Sequence, residues 1–237
     1  MKAIIIGSTS GIGKAIAEKF AKENYLVGIT GRTGEILEDM KQDHPNNFIP
    51  CIIDVKNTED TLKKIKHLID SLGGLDLLII CSGIGDINRT LDFKLEEETI
   101  KTNILGFTSI VDFATNYFIN KGEGHLVALT SIAGLRGSAL APSYNASKSY
   151  QINYLEGVRQ KLNKTNKKII ITDVRPGLVD TAMAKGEGLF WVAKVEKAAN
   201  QICKAINKQS KVVYVTRRWL IIAIILKLIP RSLYVKM

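Results

Sequence analysis

The sequence is poor in cysteine, in histidine and, toward its end, in acid, and each shortage excludes something. Cys51, Cys81 and Cys203 are widely spaced, odd in number, and form no C-x-x-C or Cys/His pattern with zinc-ligand spacing. A reducing, cytoplasmic setting without a structural metal is expected. His44, His67 and His125 are isolated from one another, which suits satisfied surface or core imidazoles rather than metal ligands. No signal-peptide core is legible, because Met1-Lys2 runs directly into Ala3-Ile4-Ile5-Ile6 and then Gly7, which reads as a first buried strand. Nor is there a low-complexity linker in the 237 residues, 46% of which are hydrophobic. One domain is expected over residues 1–215, with 216–237 as an apolar, basic-flanked segment of the same domain.

The net charge of +10 is unevenly spread: after Glu196 there are nine Lys or Arg residues and no acid, which leaves +1 for the preceding 196 residues. A nucleic-acid binder would be basic throughout or carry a recognition motif, and neither applies. A basic tail beside an anionic surface is one reading, and a solvated face that aids solubility is the other.

Short β-branched runs near 3–6, 25–30, 48–53, 75–81, 125–130, 169–174 and 212–215 alternate with longer helix-period stretches. This alternation predicts an α/β, Rossmann-like fold: a doubly wound parallel sheet of about seven strands with helices on both faces. In such folds ligands lie beyond the carboxyl ends of the strands. The first such end carries Gly7-Ser8-Thr9-Ser10-Gly11-Ile12-Gly13, then a helix-period stretch. Glycines there permit a tight turn and let backbone N–H groups approach a pyrophosphate at a helix N-terminus. The spacing is G-x-x-x-G-x-G rather than G-x-G-x-x-G, and a simple Gly/Ser turn has the same letters. The second strand ends in Thr30-Gly31-Arg32-Thr33, without the carboxylate that would bind a ribose 2′-hydroxyl. Arg32 instead offers a charged fork for a 2′-phosphate, which favours NADP(H) over NAD(H); a solvated turn arginine is the alternative.

Tyr144 and Lys148, four apart in Pro142-Ser143-Tyr144-Asn145-Ala146-Ser147-Lys148, share a helix face. A nearby ammonium stabilises a phenolate, so Lys148 is expected to lower the pKa of Tyr144 for proton transfer. Tyr117 and Lys121 repeat the spacing, but only Tyr144 is preceded, thirteen residues earlier, by a strand-end serine, Ser131. Its hydroxyl could orient a substrate oxygen beside the phenol.

Together these residues resemble the classical short-chain dehydrogenase/reductase family over roughly residues 1–215. The resemblance implies that Gly7, Ser8, Thr9, Ser10, Gly11, Ile12 and Gly13 form the cofactor loop. Asp54 and Val55 would lie beside the adenine, with Ser82 and Gly83 in the turn after the fourth strand. It further implies a catalytic set of Asn103, Ser131, Tyr144 and Lys148, with Lys148 binding the nicotinamide ribose and joining Asn103 through water in a proton relay. Pro176, Gly177, Val179 and Thr181 would meet the nicotinamide. One departure is visible: where the family often has Asn-Asn-Ala-Gly, this chain has Ile80-Cys81-Ser82-Gly83. That puts local stability in question more than chemistry, and Cys81 reads as a small buried hydrophobe.

Met183, Leu189, Phe190 and Trp191 fall where the family has a short helix-loop lid, and they suggest a lipophilic substrate or ordinary packing. The stretch Trp219–Ile229 is apolar on all sides and ends at Pro230. As a helix it reaches about 16 Å, against about 30 Å of hydrocarbon, so it cannot readily span a bilayer. Peripheral contact with an anionic membrane, at the inner face, is the preferred reading; a cover over the substrate mouth and an oligomer interface are alternatives. Three sequons, at Asn88, Asn145 and Asn163, lack a secretory context. The expectation is an NADP(H)-dependent oxidoreductase acting on a small-molecule carbonyl or alcohol, assembled as a homodimer or homotetramer, without nucleic acid. The rival is a non-catalytic NADP-binding sensor or scaffold, which would need none of the four proton-transfer groups together.

Overall fold

A computed structural model describes residues 1–184 and 190–236. The seven strands are β1 (Lys2–Ile6), β2 (Leu26–Gly31), β3 (Phe48–Ile52), β4 (Leu77–Ile80), β5 (Glu123–Leu129), β6 (Lys168–Pro176) and β7 (Val212–Val215). They form one all-parallel sheet in the order β3-β2-β1-β4-β5-β6-β7, so the order reverses between β1 and β4. A parallel sheet is covered on both faces, and the strand sequences meet that demand with alternate residues. Ala3 and Ile5 of β1, with Leu77 and Ile79 of β4, enter one apolar cluster; Ile4, Ile6, Leu78 and Ile80 enter the other.

The first cluster is completed by α1 (Gly11–Lys22), α2 (Gly34–Asp43) and α7 (Val195–Asn207). In α7 the buried Ala198, Ile202 and Ile206 recur every four residues, one stripe of the helix. The second cluster is closed by α3 (Thr58–Leu72), α5 (Phe107–Lys121) and α6 (Pro142–Leu162). Helix α3 starts where Asn57 accepts from the Asp60 N–H and stops at Gly73, whose φ of 69° ends the turn. Helix α4 (Phe93–Ile100) runs into α5 through a π turn, Lys101–Gly106, in which the backbone widens around Asn103.

Beyond β7 come α8 (Trp219–Leu228) and α9 (Arg231–Tyr234). Helix α8 ends one residue before the expected boundary. It buries Trp219 and Ala223 and leaves Leu220, Ile221, Ile224, Ile225 and Leu228 exposed. Arg136 holds its C-terminal end, donating to the carbonyls of Leu226, at 2.7 Å, and of Ile229, while Tyr234 donates to Gly137 O at 2.7 Å. The apolar segment is therefore packed on the loop that follows β5. No helix among the described residues is long and apolar enough to cross a membrane.

His125, on β5 and 7% exposed, meets Thr172 Oγ1 at 2.8 Å, and that hydroxyl donates to Ser210 O. Burial pushes the imidazole down to about 4. Its folded-state pKa thus lies below the ordinary 6.5, so the unfolded chain binds the proton first as pH falls. Stability present at neutral pH is lost progressively below about 6.5, by about 2 kcal/mol from pH 7 to pH 5. His125→Gln is expected to flatten that slope in urea denaturation at the two pH values.

Candidate active site

The turn after β1 is built by close backbone approach. A Cβ on Gly13 would lie 2.0 Å from Gly7 O, and one on Gly7, whose φ is +85°, would lie 2.9 Å from Ser82 N. Only glycine tolerates either position, so the strand end, α1 and the turn after β4 converge. Ser10, extended and outside the helix, makes no side-chain cap, which leaves the first N–H groups of α1 open to an anion. Gly11, with φ +52°, lies under Thr181, whose Cγ2 would be 3.1 Å from an added Cβ. Ser8 has a different place from the expected one: it is fully buried, and its hydroxyl donates to Thr30 O at 3.0 Å and accepts from Thr30 N at 2.8 Å. Its side chain therefore braces β1 against β2, and Thr9 packs on Gly31. This cradle, which side chains would fill, fits a dinucleotide pyrophosphate.

Arg32 is exposed immediately after β2. Asp54, after β3, accepts from Lys56 N at 3.1 Å, and Val55 is buried beside Gly106 of the π turn. In the turn after β4, Cys81 N and Ser82 N both donate to Ile6 O at 2.8 Å, so the backbone is held without the family's asparagine. Cys81 packs against the first apolar cluster, and burial pushes its thiol up to about 12, as fits a small hydrophobe. Pro176 ends β6, Gly177 packs under the Trp219 ring, and Val179 is buried and bridges to Ala193.

The four polar residues expected in a catalytic set do come together. Asn103 is fully buried and clamps Ile84 from both sides, accepting from Ile84 N at 2.9 Å and donating to Ile84 O at 2.7 Å. Its Nδ2 also donates to Ser147 Oγ at 3.0 Å. Ser131, 7% exposed, follows β5; its Oγ accepts from Ala133 N at 3.1 Å and donates to Pro176 O at 3.4 Å, and it lies near enough to the Tyr144 phenol to lower its pKa. Lys148, 4% exposed on α6, puts its Nζ 5.9 Å from the Tyr144 ring centroid and donates to Leu129 O at 2.9 Å. Asn145 donates to the carbonyls of Ala133 and Arg136, holding the loop after β5 against α6. The competing pair is structural: Lys121 binds Leu75 O and Asp76, and Tyr117 packs against the second apolar cluster.

One expectation needs correction. Tyr144 is not held acidic: burial raises its pKa above the ordinary 10.0, and only the nearby Ser131 hydroxyl opposes this. Burial also pulls Lys148 down to about 8, with the Asp173 carboxylate opposing, because a charged amine is costly in this interior. Lys148 and Asn103 are also joined by a side chain. Gln151, 1% exposed, spans the two, donating to Asn103 O at 2.8 Å and accepting from Lys148 Nζ at 3.0 Å. Sequence reasoning missed Gln151, although 144, 148 and 151 form one helical stripe. It also missed Gly85, where a Cβ would lie 2.4 Å from the Tyr144 ring.

Met183, Phe190 and Trp191 are 41%, 52% and 40% exposed and lie outside regular helix, while Leu189 falls outside the described residues. Phe190 and Trp191 meet the Trp219 ring of α8 at centroid distances of 5.2 and 6.0 Å. Among the described residues no cluster of His, Cys, Asp or Glu could hold a metal ion.

A family model described as short chain dehydrogenase matches residues 1–190. The chain belongs to that family and is one of its oxidoreductases, which use a nicotinamide cofactor. An uncharacterized oxidoreductase of Staphylococcus haemolyticus is 31% identical over 215 residues, covering 89% of this chain and 92% of the relative. Among solved structures, NADP-bound ElxO superposes with a TM-score of 0.81 at 24% identity, over 92% of this chain and 98% of that one. A short chain dehydrogenase from Bacillus anthracis gives 0.80 at 22% identity, over 90% and 94%.

Proposed function

We propose that this oxidoreductase uses NADPH to reduce the carbonyl of a lipophilic small molecule, with Tyr144 as the proton donor. The observation that carries this reading is the convergence of Ser131, Tyr144 and Lys148 beside the glycine cradle. The cofactor, when bound, supplies the hydride. Gly7, Gly11 and Gly13 leave room for its pyrophosphate, Arg32 meets a 2′-phosphate, and Thr181 and Val179 flank the nicotinamide end. That the similar ElxO holds NADP supports this choice. The Ser131 hydroxyl steadies the substrate oxygen, and Tyr144 delivers its phenolic proton to it. A phenol kept protonated by burial is the form that reduction needs at neutral pH. Lys148 then stabilises the phenolate left behind. The exposed Met183, Phe190 and Trp191, with Trp219 beneath, support an apolar substrate entering over the β6 loop.

The same reading extends to the outer face of α8. Its exposed Leu220, Ile221, Ile224, Ile225 and Leu228 are rimmed by Arg217, Arg218, Lys227, Arg231 and Lys236, which suits the surface of an anionic bilayer at the cytoplasmic side. A homodimer or homotetramer remains part of the proposal, with Phe93, Ile100 and Leu105 as exposed apolar contacts.

In a screen of NADPH and NADH oxidation against ketones and aldehydes of graded hydrophobicity, Tyr144→Phe is expected to abolish turnover while NADPH binding stays nearly unchanged. Turnover retained in that variant would remove Tyr144 from the chemistry. Arg32→Ala is expected to weaken NADPH about 10- to 100-fold and leave NADH almost untouched. For the membrane face, the full chain should sediment with phosphatidylglycerol vesicles and not with phosphatidylcholine ones. Ile221→Glu combined with Ile225→Glu should release it, and equal recovery of both proteins in the supernatant would count against the contact.

A further inference from the structure

We infer that Gln151 is a positioning residue of the proton-transfer site: its amide clamps the Lys148 amine to the Asn103 carbonyl and fills the path that a proton-carrying water would take. The inference rests on the assignment of Tyr144 and Lys148 made above. Gln151 is 1% exposed, and its two polar ends meet partners of fixed character. Asn103 O, at 2.8 Å, can only accept and Lys148 Nζ, at 3.0 Å, donates, so the amide has one workable orientation. An ammonium has three donors. Two are held by Leu129 O and Gln151 Oε1, which fixes the head group and leaves one N–H for the cleft beside Gly83.

The carbonyl that receives Gln151 is set by the π turn, and the surrounding bonds tie the clamp back to the phenol's own helix. Asn103 Nδ2 donates to Ser147 Oγ at 3.0 Å, and Ser147 Oγ donates to Tyr144 O at 2.8 Å. A water between Lys148 and Asn103 could accept a proton on one side and release it on the other. A carboxamide does not ionise in this range, so it holds the lysine without conducting. Proton exchange of Lys148 is thereby confined to the cleft side. The other ionisable groups facing its amine are Asp173 on β6, itself paired with Arg175 at 2.7 Å, Cys81 after β4, and Tyr144 on its own helix.

Two substitutions separate clamping from packing. Gln151→Met fills the space and removes both polar contacts; Gln151→Ala opens a space lined by the Asn103 carbonyl and the Lys148 amine, which is polar enough to admit a water. In the full chain carrying ¹³C-labelled lysine, with Lys148→Met used for assignment, Gln151→Met is expected to lower the Lys148 pKa by about one unit or more, since the ammonium loses a buried acceptor. Gln151→Ala is expected to shift it less, while its melting temperature falls further than that of the Met variant. Turnover on a carbonyl from the screen should follow the titration, with Met losing about tenfold or more and Ala losing less. An unchanged Lys148 titration in both variants, or turnover that follows melting temperature instead, would overturn the clamp. Turnover persisting in Tyr144→Phe would fall on the Tyr144 assignment alone, because the lysine titration needs no substrate.

Discussion

A lysine amine buried to 4% exposure must have its donors satisfied, and that requirement organises the centre of this molecule. The amine reaches a strand-end carbonyl, Leu129 O, and a helix side chain, Gln151, which in turn reaches the widened turn at Asn103. Asn103 then fixes the Ile84 backbone after β4. Four elements that are distant in sequence are thus held in register by one cation. Removing any acceptor would leave a buried donor unpaired, a cost comparable to a sizeable part of a domain's net stability.

The same burial sets the chemical character of the site. The phenol of Tyr144 is kept protonated and the amine of Lys148 is brought toward neutrality, so the pair stands ready as a proton donor rather than as a stored phenolate. The role of Gln151 is legible in this context: it contributes a fixed acceptor without contributing a charge.

The C-terminal segment is tied to the site rather than appended to it. Trp219 roofs Gly177 after β6, Arg136 from the loop after β5 holds the far end of α8, and the aromatic cluster with Phe190 and Trp191 joins the two. One helix thus presents two different surfaces. Its inner stripe packs on the loops, and its outer residues remain exposed.

Much of this was legible in the residues themselves, because backbone geometry and periodicity are local. Alternating β-branched runs point to strands, helical stripes to amphipathic helices, and a strand followed by G-x-x-x-G-x-G to a tight turn able to take a phosphate. The pairing of Tyr144 with Lys148 followed from helical spacing together with the strand-end Ser131 thirteen residues earlier. What only the tertiary structure decided were the non-local matters: that Ser8 faces inward to Thr30, that burial opposes the lowering of the phenol's pKa, and that Gln151 lies between Lys148 and Asn103. Desolvation depends on everything packed around a group, and a hydrogen-bond partner 48 residues away in the chain leaves no mark in the spacing of either one.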